Sequence, residues 1–307
     1  MVAPSGEQYE LQAGGYRAVV TECGGGLREL SYDGRPLVEG YPVDRPASAG
    51  RGQLLLPWPN RIEDGRYEFG GREHQLPVNE LSRGNASHGL TRWAAWTLEE
   101  RTDHSVSLVC RLMAQPGYPW TLDLHVLHDL SADGLTVTVT ATNLSPEPAP
   151  FAQGAHPYLV VGPGPVDGWE LTLPAATRVL VDDERLLPVG REEVAGTPYD
   201  FRTARPVGDL VLDHAFTDLD REPDGRAQVV LSDPGSGTGV VLWMDERHGW
   251  VQLFSGDTLD EGARQALAVE PMTAGANAFR SGEDLVVLAP AGQPGDEHSS
   301  SWGVRAL

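Results

Sequence analysis

The chain contains no lysine, so all 23 of its basic residues are arginines. Pyridoxal enzymes and lysine-dependent aldolases form a Schiff base on a lysine amine, and P-loop proteins and kinases bind phosphate with one. The sequence therefore excludes these classes of enzyme. Isoleucine is almost missing as well, with Ile62 as its sole example, which indicates that a bias in codon usage lies behind both gaps.

Positive charge is scarce throughout. The 307 residues carry 44 acidic and 23 basic side chains, which gives a formal net charge of -21. A chain of this charge repels phosphate backbones and anionic membrane surfaces, so neither nucleic acid nor a membrane is expected as a partner. The acidic residues are spread along the sequence without runs, which is typical of a surface that keeps a protein in solution.

Long apolar stretches and cysteine clusters are missing too. No segment approaches the roughly 20 apolar residues of a membrane-spanning helix. Residues 1–7 have neither the basic nor the apolar segment of a secretion signal. We therefore expect a soluble, cytoplasmic protein. The two cysteines, Cys23 and Cys110, make neither a disulfide framework nor a zinc motif and are expected to be free thiols.

Alternation with a period of two dominates what is present. Every second residue from 122 to 126 is apolar, and the same pattern resumes at 135–139 after a turn at 131–134. This pattern predicts a β-hairpin with one buried face. Similar hairpins are predicted around Asp33-Gly34 and Gly70-Gly71. Further strands are predicted at 17–23, 106–113, 170–173, 227–231, 240–244, 251–255 and 285–289.

Helical spacing is almost wholly missing. Hardly any window of a dozen residues has apolar residues at helical intervals between caps, and strands do not alternate with helices. The predicted fold class is therefore all-β, with antiparallel strands in large sheets. No linker or shift of composition divides the chain, so we expect one domain covering residues 1–307. We also expect 294–301 to be a flexible approach to a short last strand at Trp302, and His248 and His298 to lie at the surface.

Two histidines and a glutamate stand out between the strands. His156 lies in the otherwise apolar segment 151–161, where a buried imidazole needs a partner, although a hydrogen-bonded core histidine would satisfy the same pattern. Glu270 ends an apolar strand just before Pro271, and a carboxylate there is costly to bury unless something binds it. His88 lies in a polar turn, where a lone histidine is more often structural. An imidazole and a carboxylate exchange protons near neutral pH when the fold brings them together.

Polar residues elsewhere add candidate binding groups. Asn60 and Arg61 follow two prolines that hold the backbone extended, so their side chains are presented from a rigid loop. The Arg61 fork suits hydroxyls or a carboxylate, and a structural salt bridge is the equal alternative. Asp213 and Gln252 each interrupt an apolar segment. A metal site of His88, His156 and Glu270 fits by ligand type alone, but no closely spaced motif supports it, so neither a metal nor another cofactor is expected.

Taken in order, these segments resemble the aldose 1-epimerase (galactose mutarotase) family. The matching segments cover nearly the whole chain and are Asn60-Arg61-Ile62, 65–70, 76–80, His88-Gly89-Leu90, Asn143, His156-Pro157-Tyr158, 212–216, 251–253, Glu270-Pro271 and the closing 288–302. The resemblance implies a single large antiparallel β-sandwich, in agreement with the periodicity. It also implies a small sugar as substrate, in a monomer or homodimer.

The family resemblance further implies a role for each candidate residue. His156 would be the general acid that protonates the ring oxygen of the sugar, and Glu270 the general base that takes the proton of the anomeric hydroxyl. His88 would help to hold the sugar near its ring oxygen. The hydroxyl-binding residues would be Asn60, Arg61, Asp213 and Gln252, and Tyr158 would add packing or a hydrogen bond. Mutual attraction is expected to keep His156 protonated beside an ionised Glu270.

Two other functions remain open at this point. One is a related branch that acts on hexose 6-phosphates, for which clustered positive groups are needed; Arg61, Arg83 and Arg92 are the nearby candidates. The other is a sugar-binding or regulatory β-sandwich that has kept the pocket without turnover. Retention of both His156 and Glu270 argues against it, because a pure binder needs no matched acid and base.

Overall fold

Strands make up nearly all of the regular structure in the computed structural model, which describes residues 2–307. The first fourteen strands are β1 Gln8–Ala13, β2 Tyr16–Thr21, β3 Leu27–Tyr32, β4 Arg35–Pro36, β5 Leu54–Leu55, β6 Arg61–Glu63, β7 Arg66–Phe69, β8 Arg72–Gln75, β9 Asn85–Ser87, β10 Thr97–Arg101, β11 Ser105–Leu112, β12 Leu122–Ser131, β13 Gly134–Asn143 and β14 Ala149–Phe151. The other thirteen are β15 Gly154–Ala155, β16 Tyr158–Leu159, β17 Glu170–Thr172, β18 Ala175–Val181, β19 Pro188–Glu193, β20 Arg205–Pro206, β21 Asp213–Leu219, β22 Ala227–Asp233, β23 Thr238–Met244, β24 Trp250–Phe254, β25 Leu267–Met272, β26 Val286–Leu288 and β27 Glu297–Ala306.

Helices are minor. One α-helix, α1, covers Ala278–Ser281, and one 3₁₀ turn covers Val166–Gly168. Neither is long enough to cross a membrane, and residues 2–307 contain no other helix that could. The prediction of an all-β chain is therefore confirmed.

Two large antiparallel sheets organise the fold. The nine-stranded sheet has the order β10-β11-β12-β13-β27-β23-β22-β17-β20. The eight-stranded sheet has the order β19-β18-β21-β24-β25-β15-β5, and β16 pairs with β25 beside β15. A four-stranded sheet, β1 to β4, and three two-stranded ribbons complete the structure. This arrangement agrees with the predicted β-sandwich.

The alternation of side chains separates the core from the site. In β24 and β25, Val251, Leu253, Leu267 and Val269 point into the main hydrophobic core, which also takes in the inner face of β12 and β13. Their neighbours in sequence therefore point to the opposite face of the eight-stranded sheet. That face carries Gln252 and Glu270 and is buried beneath loops, so every residue of β25 is buried.

The three predicted hairpins are confirmed. Strands β12 and β13 pair from Leu122↔Asn143 to Ser131↔Gly134, and β3–β4 and β7–β8 form the two shorter hairpins. Asp33 and Gly34 both have positive φ, as a two-residue hairpin turn with the twist of its strands requires.

The last strand differs from the prediction. Residues 297–306 form a ten-residue strand in the middle of the nine-stranded sheet, between β13 and β23, rather than a flexible approach to a short one. The serine-rich run is one polar face of that strand: Ser299 and Ser301 share hydrogen bonds of 3.0 and 2.8 Å with Thr140 and Thr138 of β13.

The surface positions predicted for His248 and His298 are also wrong, because both rings are buried. Nδ1 of His248 lies 2.9 Å from Oδ1 of Asp245, so a local carboxylate compensates for the burial of that ring. Cys23 and Cys110 are free, as expected, and half-buried.

Candidate active site

Three candidate side chains lie in one row across adjacent strands. The register of β24 with β25 sets Gln252 opposite Glu270. On the other side of β25, Gly154 pairs with Met272 and Tyr158 pairs with Ala268. This register places His156, which lies between them, opposite Glu270. Directly opposed residues of antiparallel strands point to the same face of a sheet. Glu270 is therefore flanked by Gln252 and His156.

His156 and Glu270 are in direct contact. Nε2 of His156 lies 3.3 Å from Oε1 of Glu270, and the two side chains are 7% and 3% exposed. Within residues 2–307, Nδ1 of His156 and Oε2 of Glu270 have no hydrogen-bond partner. A buried polar atom without a partner costs free energy. Because His156 and Glu270 also line a cavity, these two atoms are free to bond a polar group that enters it.

Burial dominates the protonation of this pair. Desolvation lowers the pKa of His156 to about 3, and the positive charge of Arg92 adds to the effect. Desolvation also raises the pKa of Glu270 well above its ordinary value, helped by the charge of Asp213. Both shifts run against the expected imidazolium beside a carboxylate and favour a neutral imidazole beside a protonated carboxyl group in the free site, because burial penalises both charged forms.

The expected and the favoured protonation states of the His156–Glu270 pair nevertheless contain the same number of protons. A neutral imidazole with a carboxylic acid and an imidazolium with a carboxylate each carry one proton on the pair. Movement of that proton across the 3.3 Å between Oε1 and Nε2 interconverts them. The pair therefore has a proton to give and a place to receive one.

His88 is held by a reciprocal arrangement with Asn60. Asn60 precedes β6, His88 follows β9, and both have left-handed backbone angles, with φ of 53° and 59°. The N–H of His88 donates to the carbonyl of Asn60 at 2.9 Å, and the N–H of Asn60 donates to Nδ1 of His88 at 3.2 Å. Because Nδ1 accepts, a neutral ring carries its proton on Nε2. Desolvation lowers the pKa of His88 well below its ordinary value and keeps the ring neutral.

A chain of hydrogen bonds fixes the polar groups beside Glu270. Nδ2 of Asn60 donates to Oε1 of Gln252 at 3.2 Å, and Nε2 of Gln252 donates to Oδ1 of Asp213 at 2.7 Å. Gln252 is therefore oriented at both ends of its amide. Asp213 comes from β21, which pairs with β24, and desolvation raises the pKa of its carboxyl.

Arg61 forms a structural salt bridge, which was one of the two roles that its sequence position allowed. Its Nε and one terminal nitrogen form a bidentate pair with Glu80 at 2.9 and 3.0 Å. The other terminal nitrogen lies 3.4 Å from Oδ1 of Asn60. The guanidinium thus supports Asn60 while it lines the cavity.

Tyr158 supports His156. The two rings are stacked, with centroids 5.0 Å apart and planes 15° apart. The Tyr158 hydroxyl donates to the carbonyl of Ala49 at 2.8 Å. This hydroxyl is engaged by the protein itself, so the ring's main contribution is to hold the imidazole.

A cavity of about 380 Å³ lies above these groups, within the range of roughly 300–1,000 Å³ that is usual for small-molecule sites. The eight predicted site residues all line it, namely Asn60, Arg61, His88, His156, Tyr158, Asp213, Gln252 and Glu270. A second cavity of about 250 Å³ adjoins it and shares Asn60, Arg61, Asp213 and Gln252. Residues 2–307 contain no group of three or more His, Cys, Asp or Glu side chains arranged to hold a metal ion.

Two supporting residues were missed from the sequence. Glu80 lies within the matched segment 76–80 but gave no sign that it pairs with Arg61. Gly50 was not singled out, yet a Cβ there would lie 2.6 Å from the ring of His156. The one available signal was the clustering of two glycines around Arg51, which marks a tight turn without showing what packs against it.

Comparison with known proteins supports the resemblance. The family model for aldose 1-epimerase matches residues 7–301. The uncharacterized protein YihR of Escherichia coli K12 is 37% identical over 302 residues, which cover 98% of this chain and 94% of that protein. Galactose mutarotase of Mus musculus is 27% identical over 233 residues, which cover 73% of this chain and 66% of the mouse protein.

Solved structures share the fold. An aldose epimerase homologue from C. elegans superposes with a TM-score of 0.87 at 21% identity and covers 98% of both chains. Galactose 1-epimerase from Lactobacillus acidophilus superposes with a TM-score of 0.81 at 20% identity, covering 96% of this chain and 92% of that one. Sequence match and fold agree over nearly the full length, and the chain belongs to the aldose 1-epimerase family.

Proposed function

We propose that the protein is an aldose 1-epimerase, or mutarotase, that interconverts the α and β anomers of free aldoses. The observation that carries this proposal is the contact of 3.3 Å between His156 and Glu270 in a sugar-sized cavity. Opening a hemiacetal requires removal of a proton from the anomeric hydroxyl and delivery of one to the ring oxygen. Both oxygens are bonded to the same carbon, so the acid and the base must lie side by side.

The proposed reaction uses the one proton that His156 and Glu270 share. Glu270, as carboxylate, takes the proton of the anomeric hydroxyl while His156, as imidazolium, gives its proton to the ring oxygen. The bond between the anomeric carbon and the ring oxygen breaks, and the free aldehyde forms. Rotation about the bond from C1 to C2 presents the other face of the aldehyde, and reclosure with reversed roles gives the second anomer. A positioned acid and base contribute roughly 10²–10⁴-fold each.

Substrate binding supplies the protonation state that the reaction needs. In the free site desolvation favours the neutral pair. Sugar hydroxyls that donate hydrogen bonds to Glu270 stabilise its carboxylate, because a hydrogen bond to the charged form lowers a carboxyl pKa. The shared proton then moves to His156, where it faces the ring oxygen.

The remaining candidate residues hold the sugar around this pair. The chain from Asn60 through Gln252 to Asp213 presents an amide and a carboxylate, which suit hydroxyl donors and acceptors. His88 carries its proton on Nε2 and offers that N–H as a donor on the His156 side of the cavity; the rings of these histidines are 5.6 Å apart.

The test is polarimetry of freshly dissolved α-D-glucose and α-D-galactose with purified protein. We expect equilibration faster than in a buffer blank, in proportion to protein concentration. Saturable sugar binding without acceleration would support the non-catalytic binder instead. Equilibration at the blank rate across several aldoses, uncharged and charged, would contradict the proposal.

A further inference from the structure

The second cavity extends the main one beyond the residues that we propose as sugar-binding groups. It has a volume of about 250 Å³ and shares Asp213, Gln252 and Leu186 with the main cavity, while neither His156 nor Glu270 lines it. The proposed reaction needs no group in this space, because the ring opens at His156 and Glu270. The second cavity is therefore available to a part of the ligand other than its reacting carbon.

The register of the strands gives the direction in which this cavity lies. Ala215 of β21 pairs with Gln252, which pairs on its other side with Glu270. The pairing of β18 with β21 continues the same row to Val179. Because neighbouring strands are about 4.8 Å apart, the backbone at Ala215 lies about 10 Å from that at Glu270, and the backbone at Val179 about 14 Å from it. The second cavity thus lies beyond Gln252, on the side of Glu270 opposite His156.

The structure of an aldose determines which of its atoms faces that side. The anomeric carbon is bonded within the ring to the ring oxygen and to C2. In the proposed reaction the ring oxygen lies at His156 and the anomeric hydroxyl at Glu270, so C2 points away from His156 and towards Gln252. A substituent on C2 is therefore directed into the second cavity.

The floor of the second cavity is apolar. Val179, Ala215 and Trp250 line it, and together with Met272 they form a buried hydrophobic cluster that is separate from the main core. Val181 also lines the cavity and packs against this cluster. A hydroxyl group placed on such a floor loses its hydrogen bonds to water without replacement, whereas methyl and methylene groups gain affinity from leaving water. The floor therefore suits an apolar group.

The entrance to the second cavity, in contrast, offers a hydrogen-bond acceptor. Oδ1 of Asp213 accepts from Nε2 of Gln252 at 2.7 Å, and within residues 2–307 its Oδ2 accepts no hydrogen bond. The first atom of a substituent on C2 would therefore bind best as a donor. An amide N–H is such a donor and can carry an apolar acyl chain, whereas an ester oxygen has no proton to donate.

We propose that the second cavity is an acyl subsite and that the preferred substrates are 2-acylamino-2-deoxy aldoses. The amide N–H donates to Asp213, and the acyl chain lies on the floor formed by Val179, Ala215 and Trp250. This inference rests on the proposed function, because the direction of C2 follows from the roles of His156 and Glu270.

The experiment measures affinity by NMR titration for D-glucose and for the N-acetyl, N-propanoyl and N-butanoyl derivatives of D-glucosamine. We expect the affinity to rise about fourfold with each methylene group added to the acyl chain, because each one is buried on the apolar floor. The matched control ligand is 6-butanoylamino-6-deoxy-D-glucose, which carries the same acyl group at the other end of the sugar. It should bind less tightly than N-butanoyl-D-glucosamine.

The variant V181F places a larger side chain in the second cavity at a half-buried position. We expect it to lower the selectivity for N-butanoyl-D-glucosamine over D-glucose about tenfold, since a filled cavity has no room for the acyl chain. Val287 is exposed and lines neither cavity, so V287F is the matched control and should keep the wild-type selectivity. The thermal unfolding transition of each variant shows that it is folded.

An affinity of the wild type that does not rise with the length of the acyl chain would overturn the subsite. So would tighter binding of the 6-substituted isomer, or a selectivity in V181F equal to that of the wild type. Anomer exchange, followed by NMR with the same sugars, is a separate readout. If the wild type accelerates the exchange of no sugar, the proposed function fails, and the chain-length series with V181F still decides whether the second cavity binds an acyl group.

Discussion

Nε2 of His156 lies 3.3 Å from Oε1 of Glu270 because the register of three strands sets the two side chains opposite each other. The distance does not depend on a mobile loop. Gln252, in the same row on β24, closes the other side of the carboxylate. The two groups that we propose as acid and base are thus held by the register of a sheet, whose hydrogen bonds resist rearrangement.

The activity of the free enzyme should not titrate near the usual imidazole pKa of about 6.5. Burial lowers the pKa of His156 to about 3 and raises that of Glu270, so on the acidic side of the Glu270 pKa the pair keeps one proton. We expect kcat/KM for an aldose to hold its value as the pH falls to 5, where an ordinary imidazole would already be protonated, and to fall as the pH rises through the raised pKa of Glu270, where the pair loses its proton. A loss of kcat/KM on going from pH 7 to pH 5 would contradict this assignment, and initial rates by polarimetry in matched ionic strength measure it.

Replacement of Asp213 by Asn should weaken sugar binding. The Asp213 carboxylate is fixed by the amide of Gln252 and lines the cavity, and a hydrogen bond to a charged group contributes about 1.5–3 kcal/mol. We therefore expect KM to rise about tenfold or more in D213N, with a smaller change in kcat. Asp218 lies on the same strand with an exposed side chain, so D218N is the matched control. An unaltered KM in D213N would remove Asp213 from the binding groups.

Replacement of Gly50 by Ala should impair catalysis by displacing His156. A Cβ at Gly50 would lie 2.6 Å from the ring, and the residue has a φ of +77°. A displacement of about 1 Å at a catalytic group reduces activity on the order of 10²-fold. Gly237 has a similar φ of +71° and open space around it, so G237A carries the backbone strain without the clash. The expected result is a large loss of kcat in G50A alone; equal losses in both variants would attribute the effect to strain.

Acid should destabilise the fold through His128. This ring is fully buried, its Nε2 donates to the carbonyl of Gly25 at 2.9 Å, and burial lowers its pKa to about 4. The unfolded chain protonates the same histidine near pH 6.5, so between these values the unfolded state binds the extra proton and stability falls as the pH falls. The loss through this group is about 3 kcal/mol at pH 4, at about 1.4 kcal/mol per pH unit.

The variant H128Q tests this, because glutamine keeps a donor for Gly25 and does not titrate. Urea denaturation at pH 7 and pH 4 gives the free energy of unfolding at each pH. The difference between the two should be smaller in H128Q than in the wild type by about 3 kcal/mol. His104 is exposed, so H104Q serves as control. A difference in H128Q that equals that of the wild type would show that the folded state accommodates the charged ring.

Periodicity predicted much of the fold because most strands bury one face. The β12–β13 hairpin follows the alternation residue by residue. Strand β25 shows no such alternation in burial, since loops cover the face that carries Glu270 and every residue of the strand is buried. Strand β27 was underestimated because its serines form a polar face, bonded to threonines of β13, that resembles a linker in composition.

The candidate site was predictable in its residue types and not in its energetics. The resemblance named eight residues that line the cavity, and the structure places them together. The protonation of the pair depends on how deeply both groups are buried. The pairing of Arg61 and Arg83 with Glu80 depends on distances that only the folded chain sets. Neither quantity can be read from spacing along a chain.

Polarimetry of the variant E270Q against the wild type tests the central claim most directly. Glutamine keeps the size of Glu270 but cannot accept the proton of the anomeric hydroxyl. We expect the rate of anomer exchange to fall by about 10²–10⁴-fold in E270Q with the thermal unfolding transition retained. Glu99 forms a similar contact of 3.1 Å with His125 at the surface, so E99Q is the matched control and should keep the wild-type rate. A wild-type rate in E270Q would contradict the account.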